Sequence, residues 1–280
     1  MKTINLQEVE ENLYTEIGKA GIIIDQSVKN KIEQAITTER NPLAKKILSD
    51  LLLNGEIAQK LQKPLCQDTG LAVLFVEVGS DILFTGSLEE TINSAVKRAY
   101  QDFYFRKSMV ASPIFDRKNT NTNLPAIIHW SFNSGDELKI SFAAKGGGSE
   151  NMSRLMMLKP SDGVEGVKKF VVKSVVEAKS NPCPPLIIGV GVGGNFESCA
   201  ILAKKALFRK LDDSHPEKEW ANLEKELLSE INKTNIGPQG LGGDTTALAV
   251  KVEYLPCHIA SLPVAVNLQC HSHRHFTLTF

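Results

Sequence analysis

The stretch NPCPPLIIGVGVGGNFESC, residues 181 to 199, constrains the fold more than any other. The apolar run Leu186-Ile187-Ile188 leads into Gly189-Val190-Gly191-Val192-Gly193-Gly194, and a helix-like stretch from Phe196 to Leu207 follows. A strand that passes through glycines into a helix belongs to an architecture that mixes α and β layers. The spacing Gly189, Gly191, Gly194 also fits G-x-G-x-x-G, the fingerprint of a dinucleotide turn. Such a turn needs a second strand with an acidic residue about 20 residues on. Asp212 and Asp213 have that spacing, but SHPEKEWANLEKELLSEINK after them reads as a polar helix. The glycines are therefore expected either to let backbone approach a cofactor or to seat a helix tightly against a strand.

Around this stretch the chain alternates both periodicities. Residues 1 to 62 read as helical: Leu6, Val9, Leu13 and Ile17 recur at helical spacing, and NPLAKKILSDLLLNGEIAQKL starts with a cap and a first-turn proline. LAVLFVEVG reads as a buried strand, and Ser87-Leu88-Glu89-Glu90 as a capping box ahead of Ile92, Val96, Ala99 and Phe103. Residues 107 to 125 read as a long ordered loop of the kind that carries function. AIIHWSF and ELKISFAA read as a strand pair around Asn133-Ser134-Gly135-Asp136. Helices are expected at about 161–179, 195–210 and 216–232, with strands at Thr246–Tyr254 and Pro263–Leu268. No internal repeat or linker is visible. The expected fold is α+β, one domain over residues 1–280, with a helical N-terminal lobe to about residue 62 packed on a mixed β-sheet.

Composition narrows the partners. Lys plus Arg equals Asp plus Glu at 32 each, so no global field favours nucleic acid or an anionic membrane. The longest apolar runs fall short of the roughly 20 residues of a membrane span, and the acidic N-terminus lacks a signal-peptide core. These features point to a cytoplasmic protein. In a reducing compartment the five cysteines are metal ligands, reactive thiols or core residues before they are disulfides.

Three loops carry unusual chemistry. In KPLCQDTGLAV, Cys66, Gln67, Asp68 and Thr69 place a thiol, an amide, a carboxylate and a hydroxyl together before a strand. In AAKGGGSENMSRL, Gly146, Gly147 and Gly148 open backbone N–H groups to an anion, although the order of a Walker loop is absent. In VEYLPCHIASLPVAVNLQCHSHRHF, Cys270, His271, His273 and His275 suggest a metal site, with the three histidines on one face if the segment is a strand. His258, beside Cys257, reads from its local setting as a core histidine.

Taken together, PLCQDTG, NTNLPAIIHW, AAKGGGSENMSRLMMLKP, NPCPPLIIGVGVGG, GPQGLGGDTTALAVKV and LPCHIASLPVAVNLQC resemble, in order, the class I iron–sulfur fumarate hydratases and L-tartrate dehydratases. The resemblance runs from about residue 5 to Cys270 and implies the alpha subunit of a two-subunit enzyme. It implies a [4Fe–4S] cluster on Cys66, Cys183 and Cys270, with one iron left open to a small dicarboxylate substrate. Gln67, Asp68, Arg106, Gly146, Gly147 and Gly148 correspond to substrate-binding positions. His258 and Asp68 correspond to catalytic ones, His258 near the cluster. The chain stops at Phe280, so the remaining proton-transfer groups are expected on a beta subunit, without which little or no turnover is expected. Homodimerisation of the alpha–beta unit is expected as well. The leading expectation is hydration of fumarate to L-malate, in the tricarboxylic acid cycle. The alternatives are L-tartrate dehydration and a non-catalytic metal-binding scaffold.

Overall fold

A computed structural model describes residues 1–280. Strand β1 (Lys2–Ile4) precedes helices α1 (Leu6–Ile22), α2 (Gln26–Thr38) and α3 (Pro42–Leu61). Strands β2 (Leu71–Gly79) and β3 (Ile82–Phe84), helix α4 (Leu88–Asp102) and strands β4 (Ile127–Asn133) and β5 (Leu138–Lys145) follow. Next come α5 (Gly147–Glu150), β6 (Arg154–Leu158), α6 (Gly163–Ala178), β7 (Leu186–Gly193), α7 (Phe196–Ala206) and α8 (Lys218–Asn232). Strands β8 (Ala247–Leu255), β9 (Leu262–Gln269) and β10 (His275–Thr279) complete the order. The fold is α+β, with parallel and antiparallel pairs in each four-stranded sheet.

The chain sorts into two compact units. The first comprises Met1–Asp25, Asn54–Gly147 and Arg274–Phe280; the second comprises Gln26–Leu53 and Gly148–His273. The division does not follow a helical lobe over residues 1–62. Helix α1 belongs to the first unit, α2 to the second, and α3 is shared between them.

In the first unit the strand order is β10-β5-β2-β4. Strand β2 runs parallel to β4 and antiparallel to β5, and β10 is antiparallel to β5. The two strands read as a pair are thus not neighbours: β2 lies between them. The turn between β4 and β5 passes over the end of β2, where Gly79 N–H donates to Glu137 O and Ser80 N–H to Asn133 O. Alternation on β2 turns Ala72, Leu74, Val76 and Val78 to one face. There they meet Val9, Leu13 and Ile17 of α1 and Ile92, Val96 and Ala99 of α4. Each fully buried aliphatic side chain contributes about 1.5–3 kcal/mol. Ser87 Oγ caps α4 by accepting from Glu90 N–H at 3.2 Å.

In the second unit the order is β6-β9-β7-β8. Strand β7 is parallel to β8 and antiparallel to β9, which pairs with β6. Ile188, Val190, Val252 and Val266 share one core with Val171 and Val175 of α6 and Leu227 and Ile231 of α8. The other face of β7 shows what the opening glycines do. A Cβ at Gly189 would collide with Ala203 O, and one at Gly191 with Cys199 O. Both glycines lie inside the strand and let α7 lie directly on it, which is the packing alternative of the sequence reading.

Candidate active site

In the first unit the turn before β2 is built around Asp68. Its Oδ1 accepts from Gly70 N–H at 3.1 Å and its Oδ2 from Gly147 N–H at 2.7 Å. The Asp68 backbone carbonyl accepts from Arg274 Nη1 at 2.7 Å. Gly70 takes φ +83, and a Cβ there would press on the Ala144 and Lys145 backbone, so the turn needs glycine. The buried Tyr100 hydroxyl lies 3.1 Å from Thr69 O and 2.9 Å from Gly70 O. Burial pushes its phenol well above the ordinary range, so it stays a donor. Thr69 Oγ1 donates to Arg106 O at 3.0 Å, which ties the loop after α4 to the same turn. Cys66 is half-buried; Gln67 and Arg106 are exposed. The structure therefore gathers Cys66, Gln67, Asp68, Arg106, Gly146 and Gly147. One correction follows: Gly147 N–H is committed to Asp68 rather than held open for an anion.

In the second unit the pairing of Ile187 with Gln269 brings the turn before β7 and the turn after β9 to the same sheet end. Cys183, exposed and at φ +57, sits on the first turn; Cys270, half-buried, sits on the second. His271 Nδ1 lies 3.0 Å from Cys183 O. A carbonyl only accepts, so that ring nitrogen carries the proton. Gly148 abuts the same place, with its would-be Cβ 3.0 Å from Asn181 O.

His258 lies elsewhere. It is exposed in the turn between β8 and β9, at the other end of the sheet from Cys183 and Cys270. The eight residues of β9 separate it from Cys270, roughly 25 Å at about 3.3 Å per residue. The expectation of His258 near a cluster on those cysteines does not hold within this unit. Its Nδ1 accepts from Ala260 N–H at 3.1 Å, which leaves the ring proton on Nε2 in the neutral form. The terminal histidines do not share a strand face either. Only His275 is in β10; His271 is in the preceding turn, and His273 has φ +37. No three His, Cys, Asp or Glu side chains form a group that could hold a metal ion.

Residues 10–279 match the family described as fumarate hydratase (Fumerase). The chain belongs to this family. It is 41% identical over 276 residues to a Methanocaldococcus jannaschii protein with the provisional name L(+)-tartrate dehydratase subunit alpha. That match covers 97% of this chain and 96% of that protein. The L(+)-tartrate dehydratase subunits alpha of Escherichia coli O157:H7 and of strain K12 are 35% and 34% identical over 255 residues. Each of these matches covers 90% of this chain and 84% of the relative. The family is one of hydro-lyases. No helix of this family member is long and apolar enough to cross a membrane.

Two residues of this fumarate hydratase family member escaped the sequence reading. Arg274 is 2% exposed and grips the Asp68 turn, yet in sequence it is one basic residue among histidines. Gln239 donates from Nε2 to Pro184 O at 2.7 Å, beside Cys183. Its one signal was a position inside the glycine-rich stretch GPQGLGG.

Proposed function

We propose that this chain is the cluster-binding alpha subunit of a two-subunit hydro-lyase for a small dicarboxylate, with L(+)-tartrate as the substrate. The observation that carries this is 41% identity across 97% of the chain to a protein of that provisional name. Fumarate is the second reading, favoured by the description of the matching family. The motifs do not separate the two substrates; the names of the relatives support the alternative, tartrate, over the leading expectation, fumarate.

The chemistry of the donors, rather than a preformed group, supports an iron–sulfur cluster. Cys199 is buried in the α7 packing, where burial pushes its thiol up, and Cys257 donates to Ser261 O at the His258 end of the sheet. Cys66, Cys183 and Cys270, each on a turn and none fully buried, would hold a [4Fe–4S] cluster. When bound, such a cluster leaves one iron without a protein thiolate, a Lewis acid for a substrate hydroxyl and carboxylate. Around it Arg106 and Gln67 would orient a carboxylate, and Gly146 and Gly148 would let backbone approach. Arg274, whose Nε is buried without a partner, adds positive charge beside Asp68. Asp68 sets the glycine turn with both oxygens and keeps lone pairs for a proton or a substrate hydroxyl.

Dehydration also needs a base for the proton beside one carboxylate, and that base comes from the beta subunit. His258 enters this reading from a second copy of the alpha–beta unit, because its own sheet separates it from Cys183 and Cys270. The test is steady-state kinetics of the chain purified anaerobically with its beta subunit. A kcat/KM for L(+)-tartrate at least about tenfold above that for L-malate is expected, the discrimination a site tuned to one extra hydroxyl supplies. The reverse ratio makes fumarate the substrate. No turnover of either by the cluster-loaded pair leaves the scaffold reading.

A further inference from the structure

The stretch NIGPQGLGGDTT, residues 235 to 246, is so far without a task. We infer that Gln239 is a positioning residue that fixes the Cys183 turn against the Cys270 turn; this rests on the reading of those cysteines as cluster ligands. Gln239 takes φ +55, between Gly237 at φ +69 and Gly240 at φ +76. Glycine holds that left-handed state more easily than glutamine. What glutamine adds is a second donor. Its backbone N–H reaches Pro184 O at 2.8 Å and its Nε2 reaches the same oxygen at 2.7 Å. Both lone pairs of that carbonyl are thereby engaged, on the residue directly after Cys183.

The same amide touches the second cysteine turn. Gln239 Nε2 lies 3.4 Å from His271 Nδ1, and His271 follows Cys270. That ring nitrogen already donates to Cys183 O, so the amide leans on the ring rather than bonding to it. Pro184, Cys183 and His271 thus close around one side chain. The loop behind Gln239 is braced in turn by Glu39, which is 2% exposed. Its carboxylate accepts from Asp244 N–H at 2.9 Å, Thr245 N–H at 3.0 Å and Thr245 Oγ1 at 2.9 Å. A loop needing only closure could rely on the backbone bond and place glycine at 239. The amide acts on the two turns that carry thiols.

The experiment compares the wild-type full chain with Gln239→Gly and Gln239→Glu, anaerobically and without added iron. Gln239→Gly removes the amide and relieves the left-handed residue. Gln239→Glu keeps the volume and turns an acceptor toward Pro184 O. Each thiol is alkylated with iodoacetamide and followed by peptide mass spectrometry. In separate, unalkylated samples, iron and acid-labile sulfide are measured after reconstitution, with Cys66→Ser as the control. The expected result is a change of about fivefold in the Cys183 rate, the shift that loss of one hydrogen bond produces, with Cys66 unchanged and Cys199 still protected. Iron retention falls in the same variants. Wild-type rates at Cys183 in both variants overturn the inference, even where the wild-type chain loads a cluster. A uniform rise that includes Cys199 also overturns it, because the whole fold has then loosened. If the wild-type chain takes up no iron and sulfide, the cluster reading fails, and the Cys183 rate alone decides whether Gln239 positions that thiol.

Discussion

In the first unit β2 is the inner strand with β4 parallel on one side and β5 antiparallel on the other; in the second unit β7 takes that place between β8 and β9. Each sheet adds an edge strand antiparallel to the third, β10 in one and β6 in the other. A helical crossover separates the two parallel strands in both, α4 in the first and α7 with α8 in the second. Each plan forces the turn before the first strand against the turn after the third, where Leu71 pairs Lys145 and Ile187 pairs Gln269. The chemistry at the two junctions differs. Asp68 and Arg274 make the first a charged clamp on backbone, whereas His271 and Gln239 make the second a hydrogen-bonded brace around Cys183. The strand plan supplies the meeting of two turns; the residues on those turns give the first end one cysteine beside a charged clamp and the second end two cysteines beside a brace.

The largest expected effect separates these two ends. Cys183→Ser should abolish cluster retention and lower turnover by about three orders of magnitude or more, since the Lewis acid is lost. Asp68→Ala should retain iron. Iron and sulfide assays on both variants check the contrast, and a reversed outcome would assign the soft-metal end to the wrong junction. Next in size is His258→Ala, with turnover expected to fall by about a hundredfold at unchanged iron content. Mixing it with Cys183→Ser should restore roughly a quarter of wild-type activity if a symmetric dimer shares the residue. Failure of mixing to restore any activity would exclude a histidine supplied by a second copy.

The sequence showed the elements with strong periodicity and missed those made by pairing. Helix α1, strand β2 and the cap at Ser87 were legible because their residues alternate or recur over several turns. Strands β1, β3, β6 and β10, of three to five residues, owe their extended state to a neighbour. The strands on either side of Gly135 form, but not as direct partners, because a turn signal does not show whether a third strand intervenes. Cys183 and Cys270 were visible as candidates, but their meeting depends on the antiparallel register of β7 and β9. Arg274 and Gln239 were invisible for the same reason: each acts on a turn distant in sequence.

A smaller effect probes the charged clamp alone. Asp68→Asn keeps the shape but places an amide NH2 opposite either Gly70 N–H or Gly147 N–H. Loss of one charge-assisted bond costs about 2–3 kcal/mol, so kcat/KM should fall by about thirtyfold or more with iron content intact. A variant with wild-type kinetics would show that the first junction tolerates a neutral brace, and the contrast between the two ends would lose its functional meaning.

The smallest effect is on stability and carries a sign in pH. Burial pushes the Glu39 carboxyl up, but hydrogen bonds from Asp244 and Asn41 N–H and from Thr245 outweigh it and hold the group below its usual range. A carboxyl lowered on folding stabilises the native state above its unfolded pKa of about 4.3, and that contribution disappears as pH falls through the lower folded value. Glu39→Gln should therefore destabilise the second unit by about 2 kcal/mol at pH 7, a fall of about 5 °C in melting temperature. The gap to wild type should stay constant from about pH 6 to 8 and close below about pH 4. Asp244, held at about 2 by its bond to the exposed Arg40, is itself only half-buried and adds little to this gap. Because Glu39 braces the loop behind Gln239, the same substitution should also raise Cys183 alkylation while leaving Cys66 at its wild-type rate. A melting gap that persists unchanged at acid pH would mean that the Glu39 carboxylate is not what holds this loop, and the brace on the thiol end would have to lie in Asn232 and Asn235 instead.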